Sequence, residues 1–138
     1  MNVTKILKET RTIAVVGLSN KQDRPSFQVA SYLQRAGYKI IPVNPALNER
    51  VLDETSYPDL LSVESEVDLV NIFRKPEQAF QIVDQAITIS AKAIWMQLGI
   101  VNQTAAEKAI SYGLDVVMDR CIMVDHKQSA QFPEAEVN

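Results

Sequence analysis

The stretch TIAVVG at residues 12–17 is a continuous apolar run that ends in glycine. Runs that are short, rich in Val and Ile and bounded by polar or Gly/Pro residues are typical of parallel strands buried on both faces. Four later stretches have the same character: KIIPV at 39–43, VDLVNIF at 67–73, AIWMQL at 93–98 and DVVM at 115–118. The chain is therefore predicted to contain about five buried strands.

Segments with a helical apolar period separate these strands. They cover residues 1–9, 26–36, 58–61, 77–89 and about 104–113. Thr104 and Glu107 fit a capping box, which predicts the start of the last helix. The alternation predicts an α/β fold, a Rossmann-like doubly wound and mostly parallel sheet of about five strands with helices on both faces.

Pro42 lies inside the second predicted strand. Proline removes a donor from the ladder, so it indicates either a strand end or an unpaired edge position. In the strand order that we expect, the second strand is interior. Pro42 is therefore predicted to mark the point where this strand leaves the sheet.

The length and charge indicate one acidic domain. We expect a single unit over residues 1–138, with a core of about 5–125 and a polar C-terminal tail after about 128. The formal net charge is −3, so the chain lacks the overall positive potential expected of a nucleic-acid-binding protein. There is no apolar run of about 18 residues and no signal-peptide core, so we expect no membrane span and a cytoplasmic location.

Ligands of open α/β sheets bind outside the carboxyl ends of the strands, so the residues after each run are the candidates. The loop after the first run leads into a helix and carries Gly17, Ser19, Lys21, Arg24 and Ser26. The free amides of a helix N-terminus, together with two cations, favour an anionic oxygen. This loop is therefore predicted to bind phosphate.

The same loop departs from the dinucleotide fingerprint. GxGxxG needs three glycines, and only Gly17 is present. Asn44 and Pro45 follow the second run, where NAD enzymes carry the Asp or Glu that holds the ribose 2′-hydroxyl. An NAD(P)-binding oxidoreductase is therefore kept only as an alternative.

The later strands end in further polar residues. Arg74 and Lys75 follow the third run and are expected to face the same crevice. Gln97 and Gly99 follow the fourth run, where they offer a hydrogen-bonding amide and a close approach of the backbone. Trp95, within the fourth run, is expected to lie in the core.

Cysteine and histidine occur once each, as Cys121 and His126. Single copies exclude a disulfide framework and a multi-cysteine or histidine-rich metal site. Cys121 follows the fifth run beside Arg120, where a thiol with a lowered pKa would be reactive. His126 is interpreted as a surface residue of the tail region.

Several motifs occur together in a fixed order: IAVVGLS at 13–19, DRPS at 23–26, IPVNP at 41–45, VDLV at 67–70, FRKPE at 73–77, WMQLG at 95–99 and MDRC at 118–121. Over roughly residues 5–125 the chain resembles the small stand-alone CoA-binding proteins, which are similar to the N-terminal CoA-binding domain of the succinyl-CoA synthetase alpha subunit. The phosphorylated histidine of that synthetase lies in a second domain, and His126 matches no such motif.

The resemblance implies a Rossmann-like site for coenzyme A. The implied ligand-binding residues are Gly17, Leu18, Ser19, Lys21, Arg24, Ser26, Asn44, Pro45, Phe73, Arg74, Lys75, Gln97, Leu98 and Gly99. Phosphates would lie at the first loop, the adenosine end beside Asn44 and Pro45, and the pantetheine arm along residues 97–99. The negative charge of the ligand complements the basic residues in this set, because CoA carries about four negative charges near neutrality.

The residues and the resemblance together leave four alternative hypotheses for the function. The first is a module that binds CoA or an acyl-CoA, a small molecule, without a catalytic set of its own. The second is a thiol protein in which Cys121 forms a mixed disulfide with CoA. The others are the NAD(P)-binding oxidoreductase and a ligase subunit completed by a partner chain. Oligomeric state and the identity of any acyl group are left open.

Overall fold

The computed structural model describes residues 2–131, with the side chains of the last two excepted. The first half contains α1 (Val3–Glu9), β1 (Thr12–Val16), α2 (Pro25–Arg35) and β2 (Lys39–Val43). The second half contains β3 (Leu69–Ile72), α3 (Ala79–Thr88), β4 (Ala93–Met96), α4 (Gln103–Ser111), β5 (Asp115–Val117) and α5 (Ile122–Gln131). Short 3-10 helices cover Leu60–Ser62 and Pro76–Gln78. No helix within residues 2–131 has the length and apolarity needed to cross a bilayer.

The strands form one five-stranded parallel sheet in the order β2-β1-β3-β4-β5. Alternate residues of a strand point to opposite faces, so each strand contributes to two cores. Ala14 and Val16 pack with residues of α3 and α4, whereas Ile13 and Val15 pack with residues of α1, α2 and α5. The predicted Rossmann-like α/β fold is confirmed.

The expected strand order was wrong, because β2 is an edge strand rather than an interior one. Pro42 stays in the sheet, in register with Val15. On the outer side of β2, the Pro42 carbonyl accepts from Tyr57 N at 3.0 Å, and Asn44 N donates to the Tyr57 carbonyl at 2.9 Å. The backbone polar groups of position 42 thus face away from β1. No neighbouring strand needs an N–H there, so proline is tolerated.

Two helix ends differ from the sequence prediction. Asn102, not Thr104, caps α4, because its side chain accepts from Ala105 N at 2.9 Å. The stretch predicted as a polar tail after about residue 128 begins inside a helix, because α5 continues to Gln131. The remainder of that tail, residues 132–138, lies outside the described residues.

A polar side chain lies at the centre of the sheet. Asn71 of β3 is fully buried between Val15 and Trp95 of the neighbouring strands. Neither polar atom of its amide has a hydrogen-bond partner within residues 2–131. Trp95 is itself fully buried, as predicted, and its Nε1 donates to the Arg120 carbonyl at 2.8 Å.

Candidate ligand-binding site

The carboxyl ends of β1 and β3 meet where the order of the sheet reverses, which is where ligand crevices open in such folds. Phe73 N donates to the Val16 carbonyl at 2.8 Å, so the two loops are in contact. Gly17 has a φ of +94°, and a Cβ there would lie 2.4 Å from the Phe73 carbonyl oxygen. Glycine is therefore required for this close approach.

Hydrogen bonds fix the first loop, residues 17–24, on the start of α2. The Ser26 side chain is 6% exposed, and its Oγ accepts from Ser19 N at 3.0 Å. Ser19 Oγ accepts from Lys21 N at 3.0 Å. Ser26 is thus a support for the loop, while Lys21 and Arg24 are exposed on it.

Helix α2 begins without a side-chain cap. Its N-cap residue is Arg24, Pro25 occupies the first turn, and no side chain accepts from the turn's amides. Within residues 2–131, no hydrogen bond takes up the amides of Ser26 and Phe27. Such open donors, at the positive end of a helix dipole, are suited to an anionic oxygen.

Asn44 connects the loops after β1, β2 and β3. Its Nδ2 donates to the Leu18 carbonyl at 3.1 Å. Its Oδ1 accepts from the Arg74 guanidinium at 3.0 Å and from Ala46 N at 2.9 Å. The Arg74 side chain is therefore held in place rather than free in solvent.

A cavity of about 600 Å³ opens at this edge of the sheet. Its lining comes from the start of α2, the loops after β3 and β4, and the start of α5; the residues are Pro25, Gln28, Val29, Phe73, Arg74, Lys75, Gln78, Gln97, Leu98, Ile100, Cys121 and Met123. This volume lies within the range of small-molecule sites, roughly 300–1,000 Å³. Most of the lining is apolar, with cations at one side.

A smaller cavity of about 350 Å³ lies beside the first. Pro45, Asp59 and Gln81 are among its lining residues. Arg74 and Gln78 line both cavities and therefore lie at their junction. An elongated ligand with an anionic middle would fit such an arrangement.

Gln97 is the most enclosed polar residue of the larger cavity. It is 4% exposed, and its Oε1 accepts from Ile122 N, the first amide of α5, at 3.0 Å. Its Nε2 has no hydrogen bond to any part of the chain that the structure describes, and unlike the amide of Asn71 it is open to solvent in the cavity. Gln97 therefore presents an unused donor among the cavity residues.

Most of the predicted binding residues lie at this edge, with different roles. The larger cavity is lined by Phe73, Arg74, Lys75, Gln97 and Leu98, and also by Cys121. Pro45 lines the smaller cavity, and Gly99 N donates to Asp119 Oδ1 at 2.7 Å in the loop after β4. The Leu18 side chain is fully buried in the core, so only the backbone of Leu18 can face a ligand.

The cation beside Cys121 in the sequence has a partner of its own. Arg120 Nε and Nη2 donate to the Asp125 carboxylate at 2.7 and 2.8 Å. This hydrogen bond and the Asp125 charge raise the pKa of Arg120. Asp125 is 6% exposed, so the pair fixes the first turn of α5.

Several lining residues were missed by sequence reasoning. Gln28 and Val29 belong to the first turns of α2, and Gln78 to the 3-10 turn after β3. Met123 was missed because α5 itself was not predicted. The available signal was position, since the first turn of each helix after a strand lies at the ligand edge.

The opposite edge of the sheet contains a different cavity, of about 540 Å³, with Tyr38 and His126 in its lining. A hydrogen bond of 2.8 Å joins His126 Nδ1 and the Tyr32 hydroxyl, so His126 is half-buried rather than a surface residue. Burial lowers the pKa of His126. Burial, and next the Tyr32 charge, raise the pKa of Tyr38 to about 12.

Carboxylates at this opposite edge have structural partners. Burial would raise the pKa of Asp68, but hydrogen bonds from the amides of Thr12 and Arg11, and from Lys92, lower it overall. Among residues 2–131, no three His, Cys, Asp or Glu side chains are grouped as a metal site.

Comparison with known proteins gives consistent matches. A model of the CoA-binding domain matches residues 11–127. The YneT protein of Bacillus subtilis is 39% identical over 124 residues, which cover 90% of this chain and 91% of that protein. A solved structure of a hypothetical protein from Pyrococcus horikoshii OT3 is 37% identical, with a TM-score of 0.88 over 91% of this chain and 88% of that chain.

A larger enzyme matches over a shorter region. The ADP-forming acetate–CoA ligase II of Archaeoglobus fulgidus is 34% identical over 64 residues, which are 45% of this chain and 9% of that protein. The chain thus spans only a small part of the ligase.

Proposed function

The chain belongs to the CoA-binding domain family, and on that premise we propose that it binds coenzyme A, or an acyl-CoA, at the carboxyl edge of its sheet. The observation that carries the proposal is the 600 Å³ cavity, with Arg74 and Lys75 at one side and Gln97 and Cys121 in its lining. We propose binding without catalysis by this chain alone.

The phosphates of CoA need donors and positive charge. The open amides at the start of α2 supply donors, and Lys21 and Arg24 lie on the loop that leads into it. Arg74 is preorganised by Asn44, so little side-chain entropy is lost when it engages a phosphate. Each charge-assisted hydrogen bond of this kind contributes roughly 1.5–3 kcal/mol.

The two cavities suit the two ends of the ligand. The adenosine end is assigned to the smaller cavity, where Pro45 offers an apolar surface beside Arg74. The pantetheine arm is assigned to the larger cavity, along Phe73 and Leu98. Gln97 Nε2 is positioned to donate to a carbonyl of that arm, because its Oε1 is already bonded to Ile122 N.

Calorimetry with reduced CoA tests the proposal. Saturable binding that weakens as salt is raised is the expected result, because the phosphate contacts are partly exposed. NADH serves as the comparison ligand for the oxidoreductase alternative. If millimolar CoA gives neither heat nor a shift in the melting temperature, the proposal is wrong; stronger binding of NADH than of CoA would favour the alternative.

A matched pair of variants locates the site. Arg74→Gln should weaken CoA binding by about ten- to hundredfold, which corresponds to about 1.4–2.8 kcal/mol. Arg35→Gln makes the same change in charge on an exposed residue at the far end of α2 and should leave the affinity unchanged within about twofold. Lys75→Gln, at an exposed residue, provides a second variant without risk to the fold. Equal effects at positions 35 and 74 would refute the location.

A further inference from the structure

We propose that Cys121 exchanges disulfides with CoA disulfide, so that the chain carries one CoA covalently on its Sγ. The proposal rests on the proposed function and names a modification site within it. Cys121 is partly exposed and lines the same cavity as the cations Arg74 and Lys75.

Secondary structure fixes where Cys121 lies in the cavity. It directly precedes α5, and its carbonyl accepts from Asp125 N at 3.0 Å. The pair between Arg120 and Asp125 holds the same turn. The thiol is thus attached to an ordered backbone, and a ligand in the cavity meets it at a fixed place.

A second observation, the amide of Gln97, points to a ligand group in this part of the cavity. Gln97 is 4% exposed, and its Oε1 is bonded to Ile122 N, the residue next to Cys121. Its Nε2 has no partner within the described residues and belongs to the cavity lining. This amide donor opens into the cavity close to the thiol, so it can donate to a carbonyl of a ligand there.

The pantetheine arm matches both features. It carries amide carbonyls along its length and ends in sulfur, and the cavity offers an amide donor at Gln97 and a thiol at Cys121. Ile100 and Met123 add apolar lining nearby. A nucleotide held by Arg74 and Lys75 would therefore bring its sulfur end toward Cys121.

The exchange balances without another oxidant. The Cys121 thiolate attacks one sulfur of CoA disulfide; the new Sγ–S bond forms as the S–S bond of CoA disulfide breaks. One CoA leaves as a thiolate and takes up the proton that the Cys121 thiol released. Cys121 sulfur is oxidised and the sulfur of the departing CoA is reduced. A reduced thiol compound reverses the step.

The test compares two disulfides on the reduced, full-length chain. CoA disulfide carries the nucleotide, whereas pantethine has the same arm without it. Intact-mass spectrometry over time should show one CoA adduct, reversible by reductant, that forms at least about tenfold faster than the pantethine adduct at equal concentration, because binding raises the effective concentration. Cys121 is the only cysteine, so the site of the adduct needs no mapping.

A relocated thiol is the matched control. The double variant Cys121→Ser with Ser111→Cys places a single thiol at an exposed position near the opposite edge of the sheet. It should react with both disulfides at similar rates. Equal rates of the two disulfides at Cys121, or the same preference at position 111, would overturn the inference.

Calorimetry with reduced CoA on the unmodified chain separates the two proposals. If reduced CoA binds and the preference for CoA disulfide is absent, only the role of Cys121 is wrong. If reduced CoA does not bind, the proposed function is wrong and this inference falls with it.

Discussion

Gly17→Ala is the substitution for which the structure makes the sharpest prediction. The new Cβ would lie 2.4 Å from the Phe73 carbonyl oxygen, a backbone atom that cannot rotate away. The φ of +94° adds strain for any residue with a side chain. Gly37 has a φ of +110°, but a Cβ there would meet nothing within 4 Å. Gly37→Ala therefore isolates the conformational strain from the collision.

The magnitudes follow from these two contributions. Conformational strain alone should cost about 1–2 kcal/mol, which is the effect expected for Gly37→Ala. Gly17→Ala adds a collision worth about 1–3 kcal/mol, because the loops after β1 and β3 must separate. For a domain of this size, each kcal/mol lowers the melting temperature by about 3–4 °C. Gly17→Ala should also weaken CoA binding, since the same loops surround the proposed site.

Urea unfolding at neutral pH measures both losses of stability, and calorimetry measures CoA affinity at a temperature where both variants are folded. We expect Gly17→Ala to be the less stable variant and the only one of the pair with weakened affinity. Equal destabilisation by the two substitutions would refute the reasoning from the collision. Unchanged affinity of the folded Gly17→Ala chain would refute the link between this contact and the site.

Three further outcomes are expected. Asn71→Leu should raise the free energy of unfolding by about 1–3 kcal/mol, because it removes a buried amide with no partner; a loss of stability in urea unfolding would contradict this. His126 has a lowered pKa in the fold, so the unfolded chain takes up a proton first, and stability should decline as pH falls below about 6.5 by at most about 1.4 kcal/mol per pH unit. His126→Phe should remove that part of the slope, and identical pH profiles would show that the histidine is not responsible. Tyr38 has a raised pKa of about 12, so stability should decline as pH rises above 10, where only the unfolded chain has begun to ionise; Tyr38→Phe should flatten that decline.

Local patterns in the sequence were enough to predict the strands and their parallel sheet. The apolar runs predicted the strands because strands buried on both faces are almost entirely apolar; Asn71 is the exception in β3. These patterns did not predict the order of the strands. That order depends on the direction along the sheet in which each helical crossover places the next strand. Pro42 was the one residue that indicated the position of β2 in the sheet. An edge position was one of its two interpretations, and the structure shows that it is the correct one.

The edge that contains the proposed site was predictable, because the carboxyl ends of parallel strands meet there. Which side chains of that edge line the cavity was not predictable, because this depends on the direction in which each side chain points. Leu18 turns into the core, and Arg120 turns to Asp125 in a helix that the sequence did not predict. Thr104 and Asn102 both suit a helix cap, and only the backbone geometry decides that Asn102 is used.

The outer margin of β2 has a consequence for how molecules of this chain meet one another. A free strand edge invites hydrogen bonding by a foreign strand, which is how many sheets aggregate. Pro42 has no N–H to donate. The outward-facing carbonyl of Pro42 and N–H of Asn44 are already hydrogen-bonded to the backbone of Tyr57. A foreign strand would therefore find this flank interrupted, so the margin resists edge-to-edge polymerisation while the ladder to β1 stays complete.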